Sequence, residues 1–493
     1  LLCIFIPGVA QNVSDGWNKN RTARLTKPVF VYNNWSAYDE LSDNIPLDEA
    51  LAMKELDHIV RLKKLGVQVD YYMMDAFWFD VNEGYRKWRP DCWPEGPKRW
   101  LDACKREGIK PGLWFSTNLL RIGGEANTMK IIPEWESSVA EDGTTLCLFR
   151  GGYLHHLMQT LQMYADMGIK MFKFDFAYFD AATPEAKCTM LPTDIEEQNK
   201  NAFISAIKEF RYRNPDVLFI GYNGFGGDME NTVTPFRKTV DLRWLEIFDT
   251  MYCGDPRLSD VPMMNFWRSQ DLYSDHMTFQ YLFNGVPVRR IDNCAFMIGT
   301  TGTCYNRALN AWKGMMILTM ARGGWLNVCH GNIDLLSDDD ARWMAKVQQL
   351  YMKVQQYGSI SAFGAIPGKA LPYGYMASAE GGNLYTVVNA SQEKAKVMLP
   401  EATGTGRVLF TDSGFMPVLE KNIVELGPEQ MVVVGYGKFS TREYDLGIEK
   451  DIVIPATIQK YVTTNYPDAK ILKIERDKKD YEVKLSNLSL IHI

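Results

Sequence analysis

The chain has 493 residues, 46% hydrophobic and 23% charged. That is enough apolar material for a large core and more than one domain, and it excludes disordered and fibrous classes. The 54 basic and 60 acidic residues leave a net charge of −6, so no footprint for a nucleic-acid backbone exists and no nucleic-acid partner is expected. Aromatics reach 12%, with 13 Trp, 24 Tyr and 24 Phe, and flat amphipathic rings suit sugars as well as cores.

The opening run from Leu1 to Ala10 is apolar and ends in small residues. It reads as the remnant of a secretory signal over residues 1–10, cleaved after Ala10, which implies a secreted or periplasmic product; an ordinary N-terminal strand is the alternative. No other stretch approaches the ~18 apolar residues of a membrane span, and none is expected. From Lys27 to about Gly358, short β-rich runs alternate with amphipathic helical stretches. The predicted strands are Val29–Trp35, Val67–Asp75, Lys110–Phe115, Lys170–Phe176, Val217–Asn223, Met263–Trp267, Cys294–Gly299 and Trp325–Cys329. Helices are predicted at Asp48–Leu65, Pro97–Glu107, Gly152–Met167, Asp194–Arg211 and Asp338–Gln356. Gly66, Gly108 and Gly168 each close a helix and lead into a strand, and eight such strands predict an α/β fold, a (β/α)8 TIM barrel over 29–357.

Short alternating runs separated by Gly, Pro, Asn and Asp then predict an antiparallel β-sandwich over 358–440. A charged linker is read at Lys438–Asp451. A helix, Pro455–Tyr466, and a hairpin, Lys470–Leu485, follow in a small α+β segment at 452–493. The nine cysteines include no CxxC or Cys/His cluster of zinc spacing, so neither metal nor cofactor is expected, and most thiols are read as free and buried.

Polar residues at the carboxyl ends of barrel strands face the active site. In Met171-Phe172-Lys173-Phe174-Asp175-Phe176, Lys173 and Asp175 stand two apart in an apolar strand and so point the same way, where an unpaired charge would be costly. A structural salt bridge between them is the bland alternative. Asp271, in Trp267-Arg268-Ser269-Gln270-Asp271 after the predicted sixth strand, is the second carboxylate that glycoside hydrolysis requires. It is preferred to Asp275, whose place in Ser274-Asp275-His276 resembles a helix cap. In Met74-Asp75-Ala76-Phe77-Trp78, Asp75 is a candidate for sugar hydroxyls and Trp78 for an aromatic wall, against a capping role for Asp75. Asn223, on a Gly-rich loop, and His330, after the last strand with Asn332, complete the strand-end candidates. His155, His156 and the Met315–Met320 stretch are assigned to fold and core.

Five motifs occur in order: Asn33-Asn34-Trp35, Met74-Asp75-Ala76-Phe77-Trp78, Gly112-Leu113-Trp114-Phe115, Lys173-Phe174-Asp175 and Trp267-Arg268-Ser269-Gln270-Asp271. Over residues 27 to about 440 the chain resembles the clan D retaining glycoside hydrolases, the α-galactosidase or melibiase group. The resemblance implies Asp175 as nucleophile, Asp271 as acid/base, and Lys173, Asp75 and Trp78 around an oligosaccharide or glycoside substrate; Trp35, Trp267 and Arg268 from the motifs, and Asn223 and His330 from the strand ends, complete the expected substrate contacts. Two departures bear on the sugar. Ala76 replaces the family's second acid, and Ser116-Thr117-Asn118 stands where relatives often have Glu-Pro-Glu. Residues from Pro455 on resemble the PepSY-like domain of exported bacterial proteins, through Asn465-Tyr466-Pro467-Asp468-Ala469 and Tyr481-Glu482-Val483. The expectation is an exported retaining glycosidase for α-linked sugars. The alternatives are a non-catalytic sugar-binding barrel and the same mechanism on another sugar, such as a β-L-arabinopyranoside.

Overall fold

The computed structural model describes residues 24–35, 37, 47–122, 125–226, 240–254, 274–298, 312–412, 415–448, 456–469, 471–477, 480–485 and 490–492. The N-terminal apolar run, the predicted strand Met263–Trp267 and the candidates Trp267, Arg268 and Asp271 lie outside them.

Eight parallel strands form one sheet: β1 (Val29–Asn33), β2 (Tyr71–Met74), β3 (Lys110–Ser116), β4 (Met171–Asp175), β5 (Leu218–Gly221), β6 (Thr250–Met251), β7 (Asp292–Ile298) and β8 (Leu326–Gly331). They pair in the order β6-β5-β4-β3-β2-β1-β8-β7. A parallel bridge between Met251 and Ile291 joins the two ends, giving the (β/α)8 barrel that the alternation predicts. Seven strands fall where the sequence places them. The sixth does not: Thr250–Met251 pairs with β5, upstream of the predicted Met263–Trp267. With two residues in the ladder, this strand has too little alternating pattern to be seen in sequence.

Helices α1 (Glu49–Lys64), α2 (Lys98–Arg106), α3 (Tyr153–Met167), α4 (Pro184–Thr189) and α5 (Pro192–Arg213) cover one side of the ring. Local chemistry sets their ends. Asp48 accepts a hydrogen bond from the Leu51 N–H at 2.8 Å, a cap that contributes about 1 kcal/mol. Gly168 closes α3 at φ 109°, a left-handed conformation in which a side chain would be strained. The Met-rich helix Trp312–Ala321 is buried at every position except Lys313, because it is sandwiched between the barrel and the β-sheets beyond it.

Those sheets are antiparallel apart from one short parallel edge. β9 (Ser359–Gly364), β10 (Tyr373–Ala379), β11 (Gly382–Val388), β13 (Gly406–Thr411), β16 (Met431–Tyr436) and β17 (Gly447–Ile448) form six strands in the order β17-β13-β16-β11-β10-β9. β12 (Ala395–Met398), β14 (Val418–Glu420) and β15 (Ile423–Leu426) form three. The two sheets share an apolar core of Tyr385, Val397, Leu399, Val424, Val432 and Val434 among others. The stretch read as a charged linker is packed instead. β17 joins the edge of the larger sheet, Asp445 takes a bidentate pair from Arg407 at 2.7 Å, and the Trp343 indole donates to the Leu446 carbonyl. Near the C-terminus, helix Ala456–Asn465 accompanies β18 (Ile471–Asp477), β19 (Asp480–Leu485) and β20 (Leu490–His492). The third of these strands extends the predicted hairpin.

Among the described residues, Cys92, Cys104, Cys147, Cys188, Cys253 and Cys329 are free thiols, and Cys104, Cys147, Cys253, Cys294 and Cys329 are buried. None of the helices there is long and apolar enough to cross a membrane.

Candidate active site

The register of β4 puts Lys173 and Asp175 on one side of the strand, as the alternation requires. The Lys173 ammonium donates to Asp75 Oδ2, at the end of β2, at 2.8 Å; the two side chains are 4% and 2% exposed. It also lies 4.0 Å above the Tyr222 ring. Burial alone would lower the Lys173 pKa, but the charges of Asp75 and Asp175 outweigh it and hold the amine firmly protonated. The ion pair is therefore with Asp75 rather than Asp175, which has no direct cationic ligand among the described residues.

Asp175 is 7% exposed. Its Oδ1 accepts three hydrogen bonds, from Asn223 Nδ2 at 2.7 Å, the Phe176 N–H at 2.9 Å and the Asn223 N–H at 3.2 Å. Among the described residues its Oδ2 accepts one, from the Trp114 indole at 3.2 Å. Three donors on one oxygen fix the carboxylate's rotation and leave the other oxygen the less occupied. Burial raises the Asp175 pKa above the usual carboxylate range, while Lys173, Asn223 and Trp114 pull it back. The Asn223 carbonyl oxygen Oδ1 is buried and has no partner among the described residues.

Asp75 is held as tightly. Asn33 donates to its Oδ2 at 2.9 Å, the Ala76 N–H to its Oδ1 at 2.9 Å, and its own N–H donates to Asn34 Oδ1 at 2.8 Å. The residues after both acids are strained: Phe77 has φ 73° and Phe176 φ 48°, left-handed conformations that cost a bulky side chain free energy and concentrate at functional sites. Gly224 (φ 96°) lets the β4 and β5 loops meet, since a Cβ there would lie 2.3 Å from the Ala177 carbonyl oxygen.

Several expectations change. Trp78 is a core residue rather than an aromatic wall. It is 2% exposed, its indole donates to the Trp114 carbonyl at 2.9 Å, and it packs on Phe79, Trp88, Phe115 and Tyr164. The half-exposed rings beside Asp75 are Trp35 and Phe77, 6.2 Å apart. Asp75 is no helix cap. Asp275 stands at the cap position of helix His276–Phe283 but makes no cap hydrogen bond. It is wholly buried, paired with Arg322 at 2.7 Å, and accepts from the Tyr373 and Tyr375 hydroxyls at 2.5 and 2.8 Å. Solvation by these partners across the barrel–sheet boundary replaces the capping role.

His330 is buried beside β7, with Nε2 3.0 Å from the Cys294 thiol. Burial, and then the Lys173 charge, push its pKa down to about 3, so it is a neutral imidazole. Ser116 and Asn118 shape their loop: Ser116 bonds Leu119, and Asn118 bonds Leu146 and Tyr178. His156 is buried and holds the Gly84 carbonyl, as a fold residue should. The sequence reading missed the two ligands that orient the acids, Asn33 and Trp114; each follows the strand-end rule that selected the acids themselves. Among the described residues no cluster of His, Cys, Asp and Glu suited to a metal ion is found.

Comparison with known proteins bears on the fold. The fold is shared with the α-galactosidase of Lactobacillus brevis (TM-score 0.57, 13% identity, 85% of this chain and 56% of that one). It is shared also with the GH36 α-galactosidase AgaA of Geobacillus stearothermophilus, a variant in complex with raffinose (TM-score 0.55, 14% identity, 84% and 56%). By sequence, the α-galactosidase Mel36A of Lactobacillus acidophilus is 26% identical over 220 residues, 41% of this chain and 28% of that protein. The chain thus spans under a third of this curated relative and about half the length of those solved structures. Residues 442–493 match the PepSY-like, beta-lactamase-inhibitor-like family. The chain is accordingly α-galactosidase-like in its barrel and the β-sheets that follow, with a PepSY-like segment at its C-terminus.

Proposed function

We propose that the chain is a retaining glycoside hydrolase for α-linked sugars. The observation that carries the reading is Asp175, a buried carboxylate at a barrel strand end whose Oδ1 is saturated by three donors while Oδ2, among the described residues, accepts only the Trp114 indole. In the first step Oδ2 attacks the anomeric carbon and the glycosidic C–O bond breaks, the leaving oxygen taking a proton from an acid. In the second, water attacks the glycosyl ester, gives its proton back to that acid's conjugate base, and Asp175 leaves as carboxylate. Asp75, charged through its pair with Lys173, would accept hydrogen bonds from sugar hydroxyls, and Asn223 Oδ1 is a further acceptor.

Asp271 is the acid/base in the motif reading. The position of β6 favours a second candidate: Asp255 is the first acid after this strand, four residues beyond Met251 and next to Gly254 in the chain. Trp267 and Arg268 remain proposed substrate contacts, as do Trp35 and His330. Export belongs to the same proposal, supported by the PepSY-like match and the apolar N-terminal run.

A panel of nitrophenyl α-glycosides tests the activity, with product anomers followed by NMR. Turnover of at least one member with retained configuration is expected. A protein that binds sugars on the panel and turns over none would instead be a sugar-binding barrel.

A further inference from the structure

We propose that Glu55, on α1 outside the barrel, is a positioning residue for the mouth, clipping together the ends of β8, β1 and β2 and so holding Asp75 in place. Glu55 lies on the helix face defined by Ala52, Leu56, Ile59 and Leu62 and is 0% exposed. A carboxyl so placed needs partners. They are the Tyr32 hydroxyl at 3.2 Å and the Tyr72 hydroxyl.

Tyr32 also donates to the Gly331 carbonyl, the last residue of β8, at 2.9 Å. A phenol has one hydrogen. If it goes to Gly331, Glu55 must donate to Tyr32, and a neutral carboxyl completes the chain Glu55 to Tyr32 to Gly331, with Tyr72 donating to the other oxygen. Asn33 and Asn34, which follow Tyr32 in the chain, carry the clip to the site, because Asn34 Oδ1 fixes the Asp75 N–H and Asn33 fixes the Asp75 carboxylate.

Charge agrees with this arrangement. Burial, with a smaller push from Asp334 in the turn after β8, raises the Glu55 pKa to about 7 against the opposing Tyr72 and Tyr32 hydrogen bonds. From α1 itself, His58 is drawn to Asp334 but held toward its neutral form by burial. From α2, Trp100 packs edge-on against Tyr72. Above neutrality the carboxylate competes with Gly331 for the Tyr32 hydrogen, and the clip loosens. The unfolded chain ionises Glu55 near 4.5, so stability contributed by the neutral clip falls as pH rises from about 4.5 to about 7.

Glu55→Gln keeps a donor for Tyr32 and an acceptor for Tyr72 but cannot ionise. Hydrogen exchange decides the matter without reference to activity. At about pH 8 the wild type is expected to exchange faster than E55Q in peptides covering residues 29–35, 71–78 and 326–332, and at about pH 5.5, below the Glu55 ionisation, the two should coincide. Equal exchange at both, or a difference spread through the whole barrel, overturns the proposal. Should E55Q fail to fold, Tyr32→Phe breaks the relay while sparing the acid, and must speed exchange at residues 326–332 at both pH values or the proposal fails.

The kinetic arm rests on the glycosidase reading. KM for an aryl glycoside should rise between about pH 6 and 8 in the wild type, by as much as about tenfold as the neutral fraction of Glu55 falls, and less than half as steeply in E55Q. An identical rise in the two proteins counts against Glu55. Inactivity of both counts against the glycosidase reading and leaves the exchange result to stand.

Discussion

Replacing Lys173 by Met keeps the length of the side chain and removes its charge, a perturbation whose cost the structure allows to be worked out. The ammonium sits 2.8 Å from Asp75 Oδ2 with both side chains under 5% exposed. Its loss leaves one buried carboxylate without its counterion and a second, Asp175, without the charge that offsets burial. Removing one member of a buried pair costs about 3–5 kcal/mol, which in a chain of this size, at about 2.1 cal/mol/K of unfolding entropy per residue, lowers the melting temperature by about 3–5 °C.

The same change moves the acidic limb of kcat/KM. Asp175 must be ionised to attack; Lys173 lowers its pKa, so in the variant the limb moves to higher pH. Calorimetry at neutral pH and pH–rate profiles on one aryl glycoside measure the two effects. A folded Lys173→Met protein with an unshifted acidic limb would refute the electrostatic role given to Lys173, and an unchanged melting temperature would refute the energetic one.

Asp175→Asn should leave the fold intact and reduce turnover by several powers of ten, since an amide forms no glycosyl ester; near-normal activity removes Asp175 from the mechanism. Among Asp255→Ala, Asp271→Ala and Asp275→Ala, the variant lacking the acid/base should lose far more activity on poor leaving groups than on activated aryl glycosides and recover turnover with azide. That pattern is expected for Asp255 or Asp271, and finding it for Asp275 would contradict the ion pair described above. With Ala76 in place of a second acid, binding of galactose should be weaker by roughly ten- to a hundredfold than in a site with both, the loss of about 1.5–3 kcal/mol from one charged hydrogen bond. An aryl α-galactoside with the highest kcat/KM of a glycoside panel would sink this. Tyr375→Phe removes one of the donors on buried Asp275 and should cost about 1.5–3 kcal/mol in thermal unfolding; no loss would mean that the hydroxyl is dispensable.

What could be read from sequence was what repeats. Seven barrel strands and their helices follow from alternation, and Lys173 and Asp175 from a two-residue spacing. A strand with two residues in its ladder gives no such signal, and the sixth strand escaped. Direction was equally hidden. Trp78 follows Phe77, whose left-handed backbone redirects the chain, so a residue expected at the mouth ends in the aromatic core. Asp275 looked local because Ser274 and His276 flank it, yet its partners stand 47 to 100 residues away in the chain. Glu55 carried a signal that went unused: an acid on the apolar stripe of an amphipathic helix.

The Asp275–Arg322 pair also bears on how freely the molecule could be taken apart or recombined. Both charges flank helices of the barrel, Asp275 just before His276–Phe283 and Arg322 just after Trp312–Ala321, whereas two hydroxyls that solvate Asp275 come from β10. A barrel cut away from the sheets, or joined to sheets from a relative without tyrosines at these places, would keep a buried carboxylate stripped of neutral donors. The β-sheets are in this sense part of the barrel's interior solvent. Recombination at this boundary has to carry residues 275, 322, 373 and 375 together, as a set inherited whole.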